Sequence, residues 1–167
     1  PLLNYVFFEE NSSELPSRYI KLNPGVVSEF AIEKLFYDST MQIYYNLLNI
    51  IGKRMIENPT AKITLIGCNA DFGAEKGNLE LSRRRAESVK SYLVRVWNIP
   101  ESRIKIEARN LPQKPSTPLD EPDKTQENRR VEIISDDEKI LEPVFIEKID
   151  RLVTPPKARF KLEAQSQ

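Results

Sequence analysis

Short runs of β-forming residues, several of them alternating between apolar and polar positions, predict four β-strands. Alternation places every second side chain on the same face of a strand, so that one face can be buried and the other solvated. The first run is rich in β-formers and is followed by turn residues. The predicted strands are Leu2–Phe8, Lys62–Gly67, Ile104–Ala108 and Arg130–Ile133.

Apolar residues at helical spacing predict two long helices between these strands. The first helix is expected to start at the capping residues Asp38–Thr40 and to end near Asn58-Pro59. The second is expected over Leu79–Trp97, with Asn78 as its N-cap and a stop before Ile99-Pro100, because proline disfavours helix at the residue before it. The apolar positions that define the first helix are Tyr44, Leu47, Leu48, Ile51 and Met55.

The predicted elements follow the order β, α, β, α, β, β. The economical arrangement is an α/β (α+β) two-layer sandwich, in which two long helices cover one face of a mixed sheet. The main domain is predicted over residues 1–135, with an insertion at about 16–37 that holds a loop and a short helix. A proline-rich loop is predicted between the last two strands. Residues 136–167 are predicted to be a C-terminal extension or a linker towards another domain.

Composition narrows the classes of function. The 25 Lys and Arg residues balance the 25 Asp and Glu residues, so no global field draws the chain to nucleic acid or to an anionic membrane surface. The sequence lacks histidine and has one cysteine, Cys68, which argues against His-dependent catalysis, zinc binding and an internal disulfide. We therefore expect no enzyme, no metal and no cofactor, with Cys68 as a half-buried free thiol. The apolar runs fall short of the roughly 20 residues that span a bilayer.

One arginine breaks the polarity pattern of the second predicted helix. Arg85 lies within roughly 40° of the middle of the apolar face, in the early turns where the helix dipole disfavours a cation. A buried arginine requires an anionic partner. The wheel alone favours an internal partner, for which the candidates are Glu80, Glu14 and Asp71. The alternative is a bound carboxylate, held by Arg85 and by the free N–H groups at the helix start.

The residues around this helix carry a family resemblance. Gly67–Ala70 leads through a loop to Asn78, and Leu81–Ala86 then opens the helix, followed by Val89 and Leu93. These residues resemble the C-terminal domain of OmpA, which Pal and MotB share. Two further segments resemble the same family: Asn128–Glu132 is similar to its closing strand, and Phe8–Leu15 to its opening strand and turn.

The resemblance implies a non-catalytic module that grips the diaminopimelate part of the peptidoglycan stem peptide and anchors a larger envelope protein to the cell wall. It implies a periplasmic or cell-envelope location, as part of an outer-membrane-associated protein, with other envelope proteins as further partners. Arg85 matches the arginine that holds a ligand carboxylate in that family. Asn78 and Asn11 match residues near the ligand, although a helix cap and a turn residue would explain them equally well. Arg129 or Arg130 is expected to support the pocket.

This sequence departs from the family pattern at one ligand position. The family has a Thr-Asp pair whose aspartate takes the ligand's ammonium group, and this chain has Asn69-Ala70 there. Asp71 follows, and a rearranged loop could present it in place of the missing aspartate. The predicted ligand-binding residues are therefore Arg85, Asn78, Asp71, Asn69, Asn11 and Arg129. The alternative hypothesis is an OmpA-like structural or protein-interaction module that has lost diaminopimelate binding.

Overall fold

The computed structural model describes residues 4–35 and 38–144. Four strands and four α-helices are formed within these residues, joined by short 3-10 turns. The strands are β1 (Tyr5–Phe7), β2 (Ile63–Gly67), β3 (Ile104–Ala108) and β4 (Arg130–Ser135). The helices are α1 (Thr40–Tyr45), α2 (Leu47–Glu57), α3 (Leu79–Trp97) and α4 (Pro122–Asn128).

The sheet is mixed and has the order β1-β4-β2-β3. β4 pairs antiparallel with both β1 and β2, and β2 pairs parallel with β3. The parallel pair requires a crossover, which α3 provides by packing against β2 and β3. α2 packs against α3. The predicted two-layer α+β fold is thus confirmed.

α3 is held close to β2 at its first turns. The Asn78 side chain accepts a hydrogen bond from the Leu81 N–H at 3.1 Å, which confirms the predicted N-cap. A Cβ atom added at Gly67 would lie 1.8 Å from the Ser82 carbonyl oxygen. Only glycine therefore allows the end of β2 to approach the helix backbone this closely, and that approach brings the loop after β2 against α3.

The first predicted helix is interrupted at Asn46, so the expectation of one continuous helix was wrong. Asn46 has φ −94° and ψ 11°, outside the helical region. Its side chain donates to the Gln42 carbonyl at 3.2 Å and accepts from Asn49 at 3.1 Å. Local side-chain hydrogen bonds of this kind compete with the regular helix and separate α1 from α2.

The segment predicted as an insertion packs on the core in its described part. Tyr19 is buried, and the N–H groups of Ile20 and Leu22 donate to the Tyr45 carbonyl at 2.9 Å and to the Tyr92 hydroxyl at 2.8 Å. Asn49, fully buried, donates to the Ile20 carbonyl at 3.0 Å. These bonds fasten the segment to α1, α2 and α3. Its last two residues, 36 and 37, lie outside the described residues.

The proline-rich loop before β4 contains a helix that was not predicted. α4 starts with Pro122, whose fixed φ and missing N–H suit the first turn of a helix. The Asn128 side chain accepts from the Ser116 N–H at 2.8 Å and donates to the Ser116 carbonyl at 3.0 Å. The loop is thereby closed on itself just before β4.

Residues after β4 continue to pack on the domain. Ile140 and Val144 are fully buried, and Arg54 of α2 donates to the carbonyls of Ile140 and Glu142 at 3.2 and 2.6 Å. The apolar core therefore extends to Val144. The division of the chain at residue 135 stays a prediction, and the rest of the expected extension, residues 145–167, lies outside the described residues.

Candidate functional site

Three segments meet beside the first turns of α3: the turn after β1 (residues 9–13), the loop after β2 (residues 68–77) and the helix itself. Arg85 lies where they meet, and its side chain has no exposed surface. Phe8, also buried, places its ring 5.6 Å from the guanidinium carbon, within cation–π range. The arginine on the apolar face of α3 thus points inward, as the helical wheel predicts.

All five N–H donors of Arg85 are engaged. Three bonds go to backbone carbonyls: Nε donates to Ser12 at 2.8 Å, Nη1 to Cys68 at 3.0 Å and Nη2 to Glu9 at 3.0 Å. The other two go to the carboxylate of Glu75, from Nη1 to Oε1 at 3.3 Å and from Nη2 to Oε2 at 2.5 Å. A guanidinium has no further donor to offer.

Glu75 is equally buried and equally saturated. Its side chain has no exposed surface, and it lies on a 3-10 turn, Gly73–Glu75, in the loop after β2. Besides the two bonds from Arg85, Oε1 accepts from the Ala70 N–H at 2.8 Å and Oε2 from the Asn11 N–H at 2.7 Å. A carboxylate accepts about four hydrogen bonds, so these donors use the full acceptor capacity of Glu75. Arg85 and the N–H groups of Ala70 and Asn11, which enclose the carboxylate, are called the Arg85 cradle below.

The surroundings of Glu75 stabilise its ionised form. Burial by itself would raise the pKa of the carboxyl, but the hydrogen bonds from Arg85 and from the N–H groups of Ala70 and Asn11 outweigh it. The pKa of Glu75 therefore lies below its ordinary value of 4.5. The pair is a charge-assisted, bidentate contact between two ions from which water is excluded.

None of the three predicted internal partners neutralises Arg85. Glu14 is exposed, and Glu80 lies 3.8 Å from Arg83 and from Arg84 on the solvent side of α3. Asp71 accepts instead from the Gly77 N–H at 2.8 Å. The expectation of an internal partner is confirmed, but Glu75 was missed. Its sequence signal is the glycine on either side of it, Gly73 and Gly77, which both have positive φ and let the loop fold back on α3.

Asn69 lies inside the fold. It is fully buried, and its Nδ2, which carries two hydrogens, lies 3.0 to 3.1 Å from three acceptors: the Asn78 carbonyl, the Ser82 hydroxyl and the Asn110 side chain. Its Oδ1 accepts from the Asp71 N–H at 2.6 Å. Asn69 thus fixes the start of the loop to α3, with a side chain whose polar atoms all have partners within the domain.

Ala70 contributes only backbone to the site. Its side chain is buried and carries no charge, and its N–H points at Glu75. Asp71 does not take over as a carboxylate beside Arg85, because its φ of 48° turns the chain and its side chain braces the loop at Gly77. The expected part of Asp71 in binding a ligand's ammonium group stays a prediction.

Asn11 and Arg129 lie at the edge of this cradle. Asn11 is exposed with φ 55°, and it reaches Glu75 through its backbone N–H rather than its side chain. Arg129 is partly exposed, and its Nη2 lies 4.0 Å from Glu10 Oε1. Its Nε is buried 3.5 Å from Glu75 Oε2 and makes no hydrogen bond among the described residues. Arg130 points elsewhere: it bonds Glu132 and stacks on a tyrosine ring of β1. Of the two predicted arginines, Arg129 is the one near the site.

Cys68 is more deeply buried than predicted. It has no exposed surface, and burial raises the pKa of its thiol to about 12. The thiol is therefore protonated at neutral pH and a poor nucleophile. Within residues 4–35 and 38–144, no group of three potential ligands could hold a metal ion, and no helix is long and apolar enough to cross a membrane.

The fold and the segments around Arg85 define a class of protein. The family described as the OmpA family matches residues 35–129, which is more than half of the chain. The chain belongs to the OmpA family.

Solved structures share this fold at low sequence identity. The peptidoglycan-associated lipoprotein of Burkholderia pseudomallei is 18% identical with a TM-score of 0.52, over 79% of this chain and 89% of that one. The C-terminal domain of Helicobacter pylori MotB is 19% identical with a TM-score of 0.55, over 92% and 99%. The OmpA-like domain of FopA1 from Francisella tularensis is 14% identical with a TM-score of 0.50, over 78% and 70%. No curated protein matches the chain.

Proposed function

We propose that this chain is a non-catalytic, peptidoglycan-associated module of the bacterial cell envelope. The observation that carries the proposal is the cradle around Arg85, in which a guanidinium and two backbone N–H groups enclose the carboxylate of Glu75 and would hold an external carboxylate that displaced it. Family membership supports it, because Arg85 matches the arginine that holds a ligand carboxylate in OmpA-like domains. Such a module works in the periplasm, where peptidoglycan lies, and anchors a larger outer-membrane-associated protein.

The proposed roles differ from residue to residue. Arg85 and the N–H groups of Asn11 and Ala70 form the carboxylate cradle. Arg129 borders the cradle, with its Nε 3.5 Å from Glu75 Oε2 and its Nη2 4.0 Å from Glu10 Oε1, and its proposed role is to add positive charge for an anionic group of the stem peptide. Asn78, Asn69 and Asp71 support the site through the helix cap and the loop, since their side chains bond to the protein's own backbone. Diaminopimelate is the ligand that the family resemblance favours.

A second candidate function has its own observation. Glu75 already occupies the cradle and Arg85 has no donor left, while Ala70 offers nothing to a ligand's ammonium group. This arrangement favours a structural or protein-interaction module of the envelope that keeps the fold without gripping diaminopimelate. A charge-assisted hydrogen bond contributes roughly 1.5–3 kcal/mol, so the absent aspartate alone would weaken binding by about tenfold to more than a hundredfold.

The test is retention of the folded protein by purified peptidoglycan, together with an NMR titration with meso-diaminopimelate and a stem-peptide fragment. The first proposal expects co-sedimentation and saturable shifts of the Ala70 and Asn11 amides. A matched control is Glu80→Ala, which removes an exposed glutamate from the same helix and should bind as the unmodified protein does. No retention, and no amide shifts at millimolar ligand, would contradict wall binding and favour the interaction module.

A further inference from the structure

We infer that Glu75 is a built-in ligand of the Arg85 cradle, so that removing its carboxylate converts the cradle into a receptor for small carboxylates. The inference rests on the proposed function in one respect, since a stem-peptide carboxylate is the external ligand it would admit. In the unmodified protein, an external carboxylate must displace Glu75. The loop after β2 then acts as the closing element of the site.

Glu75 is bound as an external carboxylate would be, by backbone N–H groups and a guanidinium. Its carboxylate receives two backbone N–H groups from different segments, Asn11 after β1 and Ala70 after β2, as well as two N–H groups from Arg85. Backbone donors of this kind are fixed by the fold and remain in place when the Glu75 side chain is shortened. The cradle is therefore a property of the fold, and Glu75 fills it.

The segment that carries Glu75, residues 72–77, has few other contacts with the rest of the domain. Among residues 72–77, all of which the structure describes, Glu75 alone is buried. Phe72 is 47% exposed, and a Cβ atom added at Gly73 or Gly77 would meet nothing within 4 Å. Asp71 closes the loop at its base through the Gly77 N–H. The Glu75 carboxylate is thus the main contact between this segment and the body of the domain.

Removing the Glu75 carboxylate would leave the cradle with an excess of positive charge. Without the Glu75 carboxylate, Arg85 would keep its three bonds to carbonyl oxygens but would have two free donors and no counterion in a dry site. Arg129, with its Nε 3.5 Å from Oε2, adds a second cation at the same point. An anion of the size of the missing group would restore the balance, and a neutral molecule of the same shape would not.

The experiment is chemical rescue of Glu75→Ala. This substitution deletes Cγ and the carboxyl group, which together have the composition of acetate. Thermal unfolding is followed at constant ionic strength against formate, acetate, acetamide and chloride. At about ten times its dissociation constant, a carboxylate that binds only the folded state raises the folded-to-unfolded ratio about elevenfold. We expect saturable stabilisation of Glu75→Ala by formate or acetate, with shifts of the Asn11 and Ala70 amides, and none by acetamide or chloride.

Three controls make the result decisive. Glu80→Ala should show no carboxylate-specific stabilisation, and neither should the unmodified protein at the same concentrations. If Glu75→Ala fails to fold alone, it is refolded with acetate or with acetamide. Folding with acetate but not with acetamide supports the inference. Equal behaviour in acetate, acetamide and chloride would overturn it. If carboxylates stabilise Glu75→Ala but peptidoglycan retains neither this variant nor the unmodified protein, the inference holds and wall binding is rejected. If peptidoglycan retains the unmodified protein but carboxylates do not stabilise Glu75→Ala, wall binding holds and the inference is rejected.

Discussion

Glu75 and Glu80 both pair with arginines from the first turns of α3, but in opposite environments. Glu75 and Arg85 have no exposed side-chain surface and meet at 2.5 Å. The Glu80 side chain is 61% exposed and lies 3.8 Å from Arg83 and from Arg84. The first pair is bidentate and enclosed by backbone donors, whereas the second is screened by water and salt.

The contribution of an ion pair to the stability of the fold depends on how deeply the two charges are buried. An exposed ion pair contributes about 0–1 kcal/mol, because water solvates both charges almost as well when they are apart. A buried pair need not be favourable in total, yet breaking it leaves one ion without water or partner, at a cost of about 3–5 kcal/mol. The buried pair therefore fixes the loop after β2 on α3, whereas the exposed pair contributes little to the stability of the helix.

The largest expected effect is that of Arg85→Met. This change removes the bidentate partner of the buried Glu75 carboxylate and leaves only Arg129, 3.5 Å away and without a hydrogen bond to it. We expect the free energy of unfolding to fall by about 3–5 kcal/mol in urea titrations. The double variant Glu75→Gln/Arg85→Met should be more stable than the sum of the two single changes implies, because neither charge remains. Additive losses in this double-mutant cycle would show that the two side chains do not depend on each other.

An intermediate effect is expected for Glu75→Gln. The amide nitrogen of the new side chain would face donors from Arg85 and from Asn11 or Ala70, so we expect a loss of about 1.5–3 kcal/mol at pH 7. The pH dependence should change as well. The pKa of Glu75 is lowered on folding, so its stabilisation is complete above the ordinary value of 4.5 and is lost as the pH falls towards the folded-state pKa.

Unfolding curves between neutral pH and about pH 3 check this prediction. The unmodified protein should lose stability as the pH drops below 4.5, and Glu75→Gln should lose less over the same interval, so the two stabilities converge in acid. Parallel curves would mean that the Glu75 carboxyl has the same pKa in the folded and unfolded states, contrary to its hydrogen bonds.

The smallest effect is expected for Glu80→Ala on the exposed side of α3. Its two contacts at 3.8 Å are solvated, so the change in the free energy of unfolding should stay within about 1 kcal/mol and should shrink further in high salt. Urea titrations at two salt concentrations measure both quantities. A loss comparable to that of Glu75→Gln would remove the contrast between the two pairs.

The sequence identified some residues of the site and missed others. Arg85 was found from its position on the helical wheel, and the need for an anion followed from burial alone. Asn78 was found as a cap because Asx residues before an apolar helical pattern are local signals. Glu75 was not found, because its link to Arg85 depends on a loop that folds back through positive φ at Gly73 and Gly77.

Some features of the fold also follow from the sequence, and others only from the tertiary structure. The sequence by itself determined the strands, the helix over Leu79–Trp97 and the two-layer arrangement, since periodicity and capping are properties of neighbouring residues. Only the tertiary structure decided the break at Asn46, the docking of the segment around Tyr19 and the Glu75–Arg85 pair. The Tyr19 docking and the Glu75–Arg85 pair depend on contacts between separate segments, where many partners are possible and geometry selects one. The break at Asn46 arises from local side-chain hydrogen bonds, which compete with a helical pattern that the sequence equally supports.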